Sequence, residues 1–359
     1  MEKIIGFLAP TLIYLFIFIM NLTLPGRWVT GYVTKSNSTE KLKYHLNGLQ
    51  VLFITVLTWF LLGYFNLMPW DFLYQVRWYA LAGAVCFGLI FSLVLVLPHS
   101  KIKKSFLADF YFGRVENPQL WKGRIDAKMW LYLIGAVYLE LNVLSFTAHH
   151  YLTFGSEVSN GVYLTAFLLT FFVVDYLTFE EVHLYTYDFF AECVGFKLGW
   201  GCIAFYPFFY AIPLWATVGL APVHLPGYML FFFCMVFFAG WSLSRGANLQ
   251  KYNFKKDSSK KFLGIQPELI ASDNKALLVN GFWGLSRHIN YLGEILMAVG
   301  IVLSTGYIGN IWPWLYPLYY IVLLFPRQRA DNKRCSEKYG LLWDEYIEKV
   351  PYRIIPYVY

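Results

Sequence analysis

Two groups of residues have types and spacing suited to chemistry. The first is a set of carboxylates inside or at the edges of apolar stretches: Glu140, Asp175, Glu180, Glu181, Asp188, Glu192 and Glu294. An ionisable group at membrane depth is expensive, which makes it a functional candidate. Burial also raises a carboxyl pKa, so that such a group can hold and donate a proton at neutral pH. Asp175, Glu180 and Glu181 cluster at the end of one apolar segment. Asp188 and Glu192 follow at i,i+4 spacing, on one face if that stretch is helical. The alternative for each is an interfacial charge solvated by lipid headgroups.

The second group lies in the last third of the chain. The block from Leu277 to Glu294 gathers Trp283, Arg287, His288, Asn290 and Tyr291, and a second polar block runs from Arg327 through Asp331, Cys335, Lys338 and Tyr339 to Gly340. Arginine forks pair with phosphates, Trp and Tyr stack on planar rings, and Asp and Asn bind hydroxyls and amides. That inventory suits an anionic, ring-bearing cofactor, and Lys251 and Lys255 add cationic partners for a further phosphate. A metal site has no support, since no HExxH or similar spacing occurs and His149 and His150 are adjacent. Gly199-Trp-Gly201-Cys-Ile-Ala204 has the letters of a dinucleotide fingerprint. It lies in an apolar segment with no strand before it, so it reads as helix-packing glycine.

The elements that must position these residues are membrane helices. Hydrophobic residues make up 58% of the 359 positions and charged residues 14%, against about 25% charge in a soluble domain. Nine apolar stretches are long enough to be candidate spans: 5–24, 49–67, 78–97, 129–145, 161–179, 195–220, 225–244, 292–307 and 311–326. The stretch 195–220 contains Pro207 and Pro213, and 277–291 is semi-apolar and a candidate to enter the membrane. The fold class expected is all-α, a polytopic membrane protein of about ten helices. The organisation expected is an N-terminal helical part, 1–244, forming much of a substrate pocket, and a C-terminal cofactor part, 245–359.

Charge distribution orients this arrangement. Basic residues collect in 101–128 (Lys101, Lys103, Lys104, Arg114, Lys122, Arg124, Lys128), in 245–275 and in the tail, while 149–160, 221–224 and 308–310 have no Lys or Arg. The positive-inside rule places the three basic segments on the cytoplasmic side. Lys35, Lys41 and Lys43 in the first loop favour an outside N-terminus for nine spans, and ten spans would reverse it. The net charge of +7 reflects these loops and not nucleic-acid binding, because no basic base-reading helix is present. Five scattered cysteines, Cys86, Cys193, Cys202, Cys234 and Cys335, indicate neither a disulfide framework nor zinc.

The same motifs carry a resemblance. Residues 278–294, Leu-Val-Asn-Gly-Phe-Trp-Gly-Leu-Ser-Arg-His-Ile-Asn-Tyr-Leu-Gly-Glu, resemble the LLVSGWWGxxRHxNYxGD block of the sterol reductases. That family comprises the delta-14, delta-7 and delta-24(28) enzymes and the membrane domain of lamin B receptor. Arg327-x-x-x-Asp331-x-x-x-Cys335-x-x-Lys338-Tyr339-Gly340 is similar to the family's HRxxRDxxxCxxKYG, as is the ending Trp343-x-x-Tyr346 through Pro-Tyr-Arg-Ile-Ile-Pro-Tyr-Val-Tyr359. Asp109 through Asn117-Pro118 resembles the YDxxxGxxLNPR signature, so the likeness covers about 105–359. Departures are Pro326 for His, Ala330 for Arg, Gln119 for Arg, and Cys202 where many members carry Asp.

The resemblance implies NADPH-dependent reduction of a sterol ring double bond, with delta-14 first and delta-7 second. By matched position it implies cofactor contacts at Lys251, Lys255, Leu278, Trp283, Arg287, Asn290, Tyr291, Arg327, Asp331, Cys335, Lys338, Tyr339 and Tyr346. For a delta-14 olefin, a protein acid protonates carbon 15 and hydride reaches the tertiary cation at carbon 14. Glu180 and Asp175 are the candidates for the acid or its relay, with Asp188 behind them, and one of the 28 tyrosines is the alternative. The partners expected are a sterol and the bilayer, with neither nucleic acid nor an obligatory protein. The location expected is an endoplasmic-reticulum-type or bacterial inner membrane, with the cofactor side cytoplasmic. An isoprenylcysteine-type methyltransferase using S-adenosylmethionine is the enzymatic rival. A sterol-binding scaffold without turnover is the other; the absence of an added chromatin module before the first helix favours a free-standing enzyme.

Overall fold

A computed structural model of the chain describes residues 1–34, 39–100, 105–272 and 275–359. Lys35, Lys101, Lys103 and Lys104, counted above among the loop charges, lie outside them. The described chain is mostly helical, with short antiparallel hairpins. Among the described residues five helices are long and apolar enough to cross a membrane: Glu2–Thr23, Arg77–Val96, the helix beginning at Ala127, Asn160–Thr178 and Gly227–Lys256. Gly48–Tyr64 and Ile289–Ser304 are apolar but shorter. The chain divides into two compact units, Met1–Val223 and His224–Tyr359.

The first unit is built around helix Ala127–Phe154. From Ala127 to Val143 every residue of this helix is buried, the polar Lys128, Glu140 and Asn142 included. Its start is fixed by Asp126, whose carboxylate accepts the backbone N–H groups of Lys128 and Met129 at 3.0 and 3.1 Å. Helices Glu2–Thr23 and Arg77–Val96 pack against each other closely enough that a Cβ on Gly83 would overlap the Phe7 carbonyl. Apolar side chains gain nothing by leaving lipid for one another, so such small-residue contacts carry much of helix association in a membrane. Asn21 and Asn47 bond through Nδ2 and Oδ1 at 2.6 Å and tie the end of the first helix to the start of Gly48–Tyr64.

A strand pair that hydropathy does not reveal, Arg27–Thr34 with Lys41–Leu46, joins these two helices. Leu42, Tyr44 and Leu46 alternate inward and are buried, the period-two pattern of a one-sided hairpin. Tyr44 meets the ring of Phe189 edge-on at 6.1 Å, and Tyr32 meets Tyr185 at 5.8 Å. The hairpin therefore covers the segment that bears Asp188.

The stretch 195–220 is not one continuous helix. It is a series of short turns, Phe196–Trp200, a π-helical Gly201–Phe205, Tyr206–Phe209 and Ile212–Trp215. Pro207 and Pro213 sit at the starts of the last two, where their missing N–H is tolerated. The Tyr14 hydroxyl donates to the Ile203 carbonyl within the π-turn at 2.5 Å.

In the second unit, Gly227–Lys256 and Ile289–Ser304 pack tightly. A Cβ on Gly240 would lie 2.6 Å from the Gly293 carbonyl oxygen. Ser244 Oγ donates to Glu294 Oε1 at 2.6 Å across the same seam. The apolar stretch 311–326 continues through Pro326 as one helix, Ile311–Tyr339, that carries the charged block on its far half. Gly340, at φ +58°, ends it, and Leu341–Lys349 follows. The stretch 277–291 is not a span: strand Lys275–Leu278 pairs with Leu269–Ser272, and a short turn Phe282–Leu285 precedes helix Ile289–Ser304.

Candidate active site and cofactor face

In the first unit the three candidate acids have distinct surroundings. Glu180 is buried just beyond helix Asn160–Thr178, and its Oε2 accepts the Gly48 N–H at 3.1 Å. Burial raises its pKa to about 7, against the lowering effects of the Gly48 bond and the Arg27 charge. Asp175 is half-buried in the last turn of that helix, one residue before Tyr176. Asp188 lies in the turn Tyr187–Ala191, and its Oδ2 accepts the Tyr132 hydroxyl at 2.7 Å. Lys128 Nζ donates to the carbonyl oxygens of Asp188 and Phe189 at 2.8 and 3.1 Å. Glu192 ends that turn in extended conformation and pairs with Lys197 at 2.6 Å, so it does not share a helical face with Asp188.

Tyr132, Tyr176 and His183 are functional candidates that the sequence reading missed. The Tyr132 and Tyr176 rings lie 5.9 Å apart, and His183 stacks obliquely on Tyr176 at 4.1 Å. Asp188 and Glu180 both lie within electrostatic reach of Tyr176. No motif could reveal this grouping, because Tyr132 and Asp188 are 56 positions apart.

In the second unit the C-terminal motif residues converge. Arg327, Asp331, Cys335 and Lys338 follow one another at helical spacing along Ile311–Tyr339. Asp331, Cys335, Lys338 and Arg327 all lie in the electrostatic neighbourhood of Lys251, and Cys335, Lys338 and Arg334 in that of Lys255. Lys251 Nζ stands 5.2 Å from the Trp283 ring centroid, and Trp283 Nε1 donates to the Ala247 carbonyl at 2.8 Å. Tyr339, Trp343 and Tyr346 stack in series, with centroids 6.4 and 4.9 Å apart. Leu278 is buried on the adjoining strand, and Tyr291 stacks on His288 at 4.8 Å. Arg287 is tied to the tail: Nη1 donates to Asn332 Oδ1 and Nη2 to the Pro351 carbonyl, each at 3.0 Å.

The electrostatics are those of an anion site. His288 is held down to about 3 by burial and by the charges of Lys251, Arg287 and Arg327. The Cys335 thiol is pushed up to about 11 by burial and by Asp331. Several buried polar atoms here have no partner among the described residues: Asn290 Oδ1, Gln328 Oε1, Arg287 Nε and Trp343 Nε1. Buried polar atoms are nearly always bonded in native proteins, so a cluster of orphans beside lysines and arginines fits a ligand with both phosphate and amide groups. Gln328, beside Arg327, and Trp343 are additions to the sequence-derived set.

Long apolar helices bearing a buried carboxyl centre in one unit and a cationic, aromatic face in the other belong to an integral membrane enzyme. Residues 5–359 match the model of the ergosterol biosynthesis ERG4/ERG24 family. The Delta(14)-sterol reductase of Arabidopsis thaliana is 30% identical over 379 residues, covering 99% of this chain and 98% of the relative. The Delta(14)-sterol reductase TM7SF2 of Mus musculus is 33% identical over 354 residues, covering 94% and 81%. The Delta(14)-sterol reductase erg24 of Schizosaccharomyces pombe is 30% identical over 345 residues, covering 93% and 80%. The chain belongs to the ERG4/ERG24 sterol reductase family and is a sterol reductase, an oxidoreductase of sterol biosynthesis.

Proposed function

We propose that this protein reduces the delta-14 double bond of a sterol with NADPH as the reductant. The observation that carries the reading is the convergence of Lys251, Lys255, Arg327, Asp331, Cys335 and Lys338 beside unpartnered buried amide oxygens. The names of the relatives supply the olefin.

NADPH, when bound, supplies the hydride that reaches carbon 14. The lysines and arginines bind its phosphates, Lys255 with Lys251 taking the one that distinguishes NADPH from NADH. Trp283, Tyr291, Tyr339 and Tyr346 contribute ring faces, and Asn290 and Asp331 hydrogen bonds. Leu278 and Cys335 close the face on its dry side, and Arg287 holds the tail against it.

The protein's other task is to deliver a proton to carbon 15. Asp188 is the acid of this reading. The Tyr132 hydroxyl donates to Asp188 Oδ2. The same hydrogen bond strengthens as negative charge develops on the carboxyl. Glu180, whose pKa burial raises to about 7, is the proton store behind it, with Tyr176 within electrostatic reach of both. Asp175 is the alternative relay. The fold of this reading has about ten membrane helices, with the cofactor face cytoplasmic and the sterol entering from the bilayer.

The test is incubation of the purified protein with NADPH and, separately, a delta-14 and a delta-7 sterol, with products read by mass spectrometry. The expected product gains two hydrogens on the delta-14 substrate alone. Product from the delta-7 sterol alone would reassign the olefin. NADPH, and not S-adenosylmethionine, is expected to raise the Tm of the protein, and Asp331→Ala or Asn290→Ala to abolish that rise.

A further inference from the structure

Glu140 is a buried carboxyl that the reaction scheme above does not use. It lies midway along Ala127–Phe154 and is 3% exposed. Its Oε1 accepts the Thr170 hydroxyl of helix Asn160–Thr178 at 2.8 Å. Its Oε2 has no hydrogen-bond partner among the described residues. A polar atom left in this condition is destabilising, and more so if charged, so the chain carries it at a penalty that a ligand would offset.

The position of Glu140 relative to the proposed acid is informative. Tyr132, which binds Asp188, precedes Glu140 by eight residues on the same helix, about 12 Å at 1.5 Å per residue. On the facing helix the partners are Tyr176 and Thr170, six residues or about 9 Å apart. Tyr132 pairs with Tyr176 and Glu140 with Thr170. The seam between these two helices is thus polar at two levels, and between those levels each helix carries buried apolar residues such as Val137, Leu139 and Val173. The separation is commensurate with the long axis of a fused four-ring nucleus.

A sterol matches that pattern. It is apolar along its length, with one polar group, the 3β-hydroxyl, at the end of ring A far from the delta-14 olefin. We infer that Glu140, held by Thr170, is the anchor for the sterol 3β-hydroxyl, and that its distance from Asp188 sets which ring carbon meets the acid. The hydroxyl satisfies Glu140 Oε2, and the rings lie along the seam. This inference rests on the proposed assignment of Asp188 and Tyr132 to the olefin end. It makes Glu140 a binding and register-setting residue, with no part in proton or hydride transfer.

The experiment compares kcat and KM of the full-length protein, with NADPH, on a delta-14 sterol and on its 3-deoxy analogue. Wild type is expected to favour the hydroxylated sterol on the order of tenfold or more in kcat/KM, because a site built to bond a hydroxyl is left with an unpaired group when it is missing. Glu140→Leu is expected to bring that ratio to about one, by raising KM for the hydroxylated sterol while the deoxy analogue is turned over as before. Thr170→Val, a milder change, is expected to lower the ratio partway and covers the case in which the leucine variant does not fold. Equal loss on both substrates in either variant, or an unchanged ratio, would overturn the inference. If wild type reduces both sterols equally, the anchor is wrong and the reductase reading stands; if it reduces neither, the reading of the reaction itself fails.

Discussion

Glu180 and Gly48 meet where no side chain fits between them: Glu180 Oε2 accepts the Gly48 N–H at 3.1 Å, and a Cβ at position 48 would land on the carboxylate. The glycine lets a buried carboxyl reach a helix N-terminus, where a negative charge is favoured. Burial nonetheless wins and moves the Glu180 pKa from 4.5 to about 7.

That shift has a signed consequence. The unfolded side chain ionises near 4.5 and the folded one near 7, so the contribution of Glu180 to stability is full below 4.5 and is lost as pH rises through 7. Glu180→Gln is therefore expected to gain in Tm relative to wild type at pH 8 compared with pH 5. With Glu180 as proton store, wild-type kcat falls as pH rises through about 7, and this limb is absent from the glutamine variant. A parallel fall in both proteins would remove Glu180 from the proton path.

Tyr132→Phe removes the hydroxyl that bonds Asp188 while keeping the ring. Loss of one donor to a developing charge costs on the order of 100- to 1000-fold in kcat. KM for the sterol is expected to change little, and Asp188→Asn to lose at least as much. Unaltered kcat in Tyr132→Phe, measured under sterol saturation, would contradict the assigned role.

Lys255 separates cofactors. Lys255→Ala is expected to weaken NADPH by about tenfold or more, through loss of a charge-assisted phosphate contact, and to leave NADH binding unaltered. Isothermal titration in detergent measures both, and the NADPH difference should shrink as salt is raised. Equal weakening of the two nucleotides would place Lys255 away from the distinguishing phosphate.

Gly293 tests how the second unit holds its face. A Cβ there would crowd the Gly240 carbonyl oxygen and the Ser244 N–H, so Gly293→Val must separate helices Gly227–Lys256 and Ile289–Ser304. The cost is about 1–3 kcal/mol, visible as a lower Tm. Weaker NADPH binding is expected with it, since Lys251 and Asn290 sit on those two helices.

Much of this was legible from residues alone. The expected span 78–97 corresponds to helix Arg77–Val96 and 161–179 to Asn160–Thr178, because twenty apolar residues in lipid have few alternatives to a helix. The family was legible in the Arg327–Gly340 block, where local helical spacing keeps the functional residues on one face. The broken course of 195–220 was foreshadowed by Pro207 and Pro213, but hydropathy is blind to a π-turn. The Arg27–Leu46 hairpin escaped because an amphipathic strand pair leaves a weak signal beside apolar helices. Tyr132 escaped for a different reason: its pairing with Asp188 is tertiary, and no local pattern marks it among 28 tyrosines.

The central claim is a proton from the protein and a hydride from NADPH across one ring double bond. Its most direct test is reduction of a delta-14 sterol with NADPH deuterated at the transferred position, and separately with unlabelled NADPH in deuterated water, followed by NMR of the product. The account predicts one cofactor-derived deuterium at carbon 14 and one solvent-derived deuterium at carbon 15. Cofactor-derived label at carbon 15, or no label from NADPH in a reduced product, would contradict it.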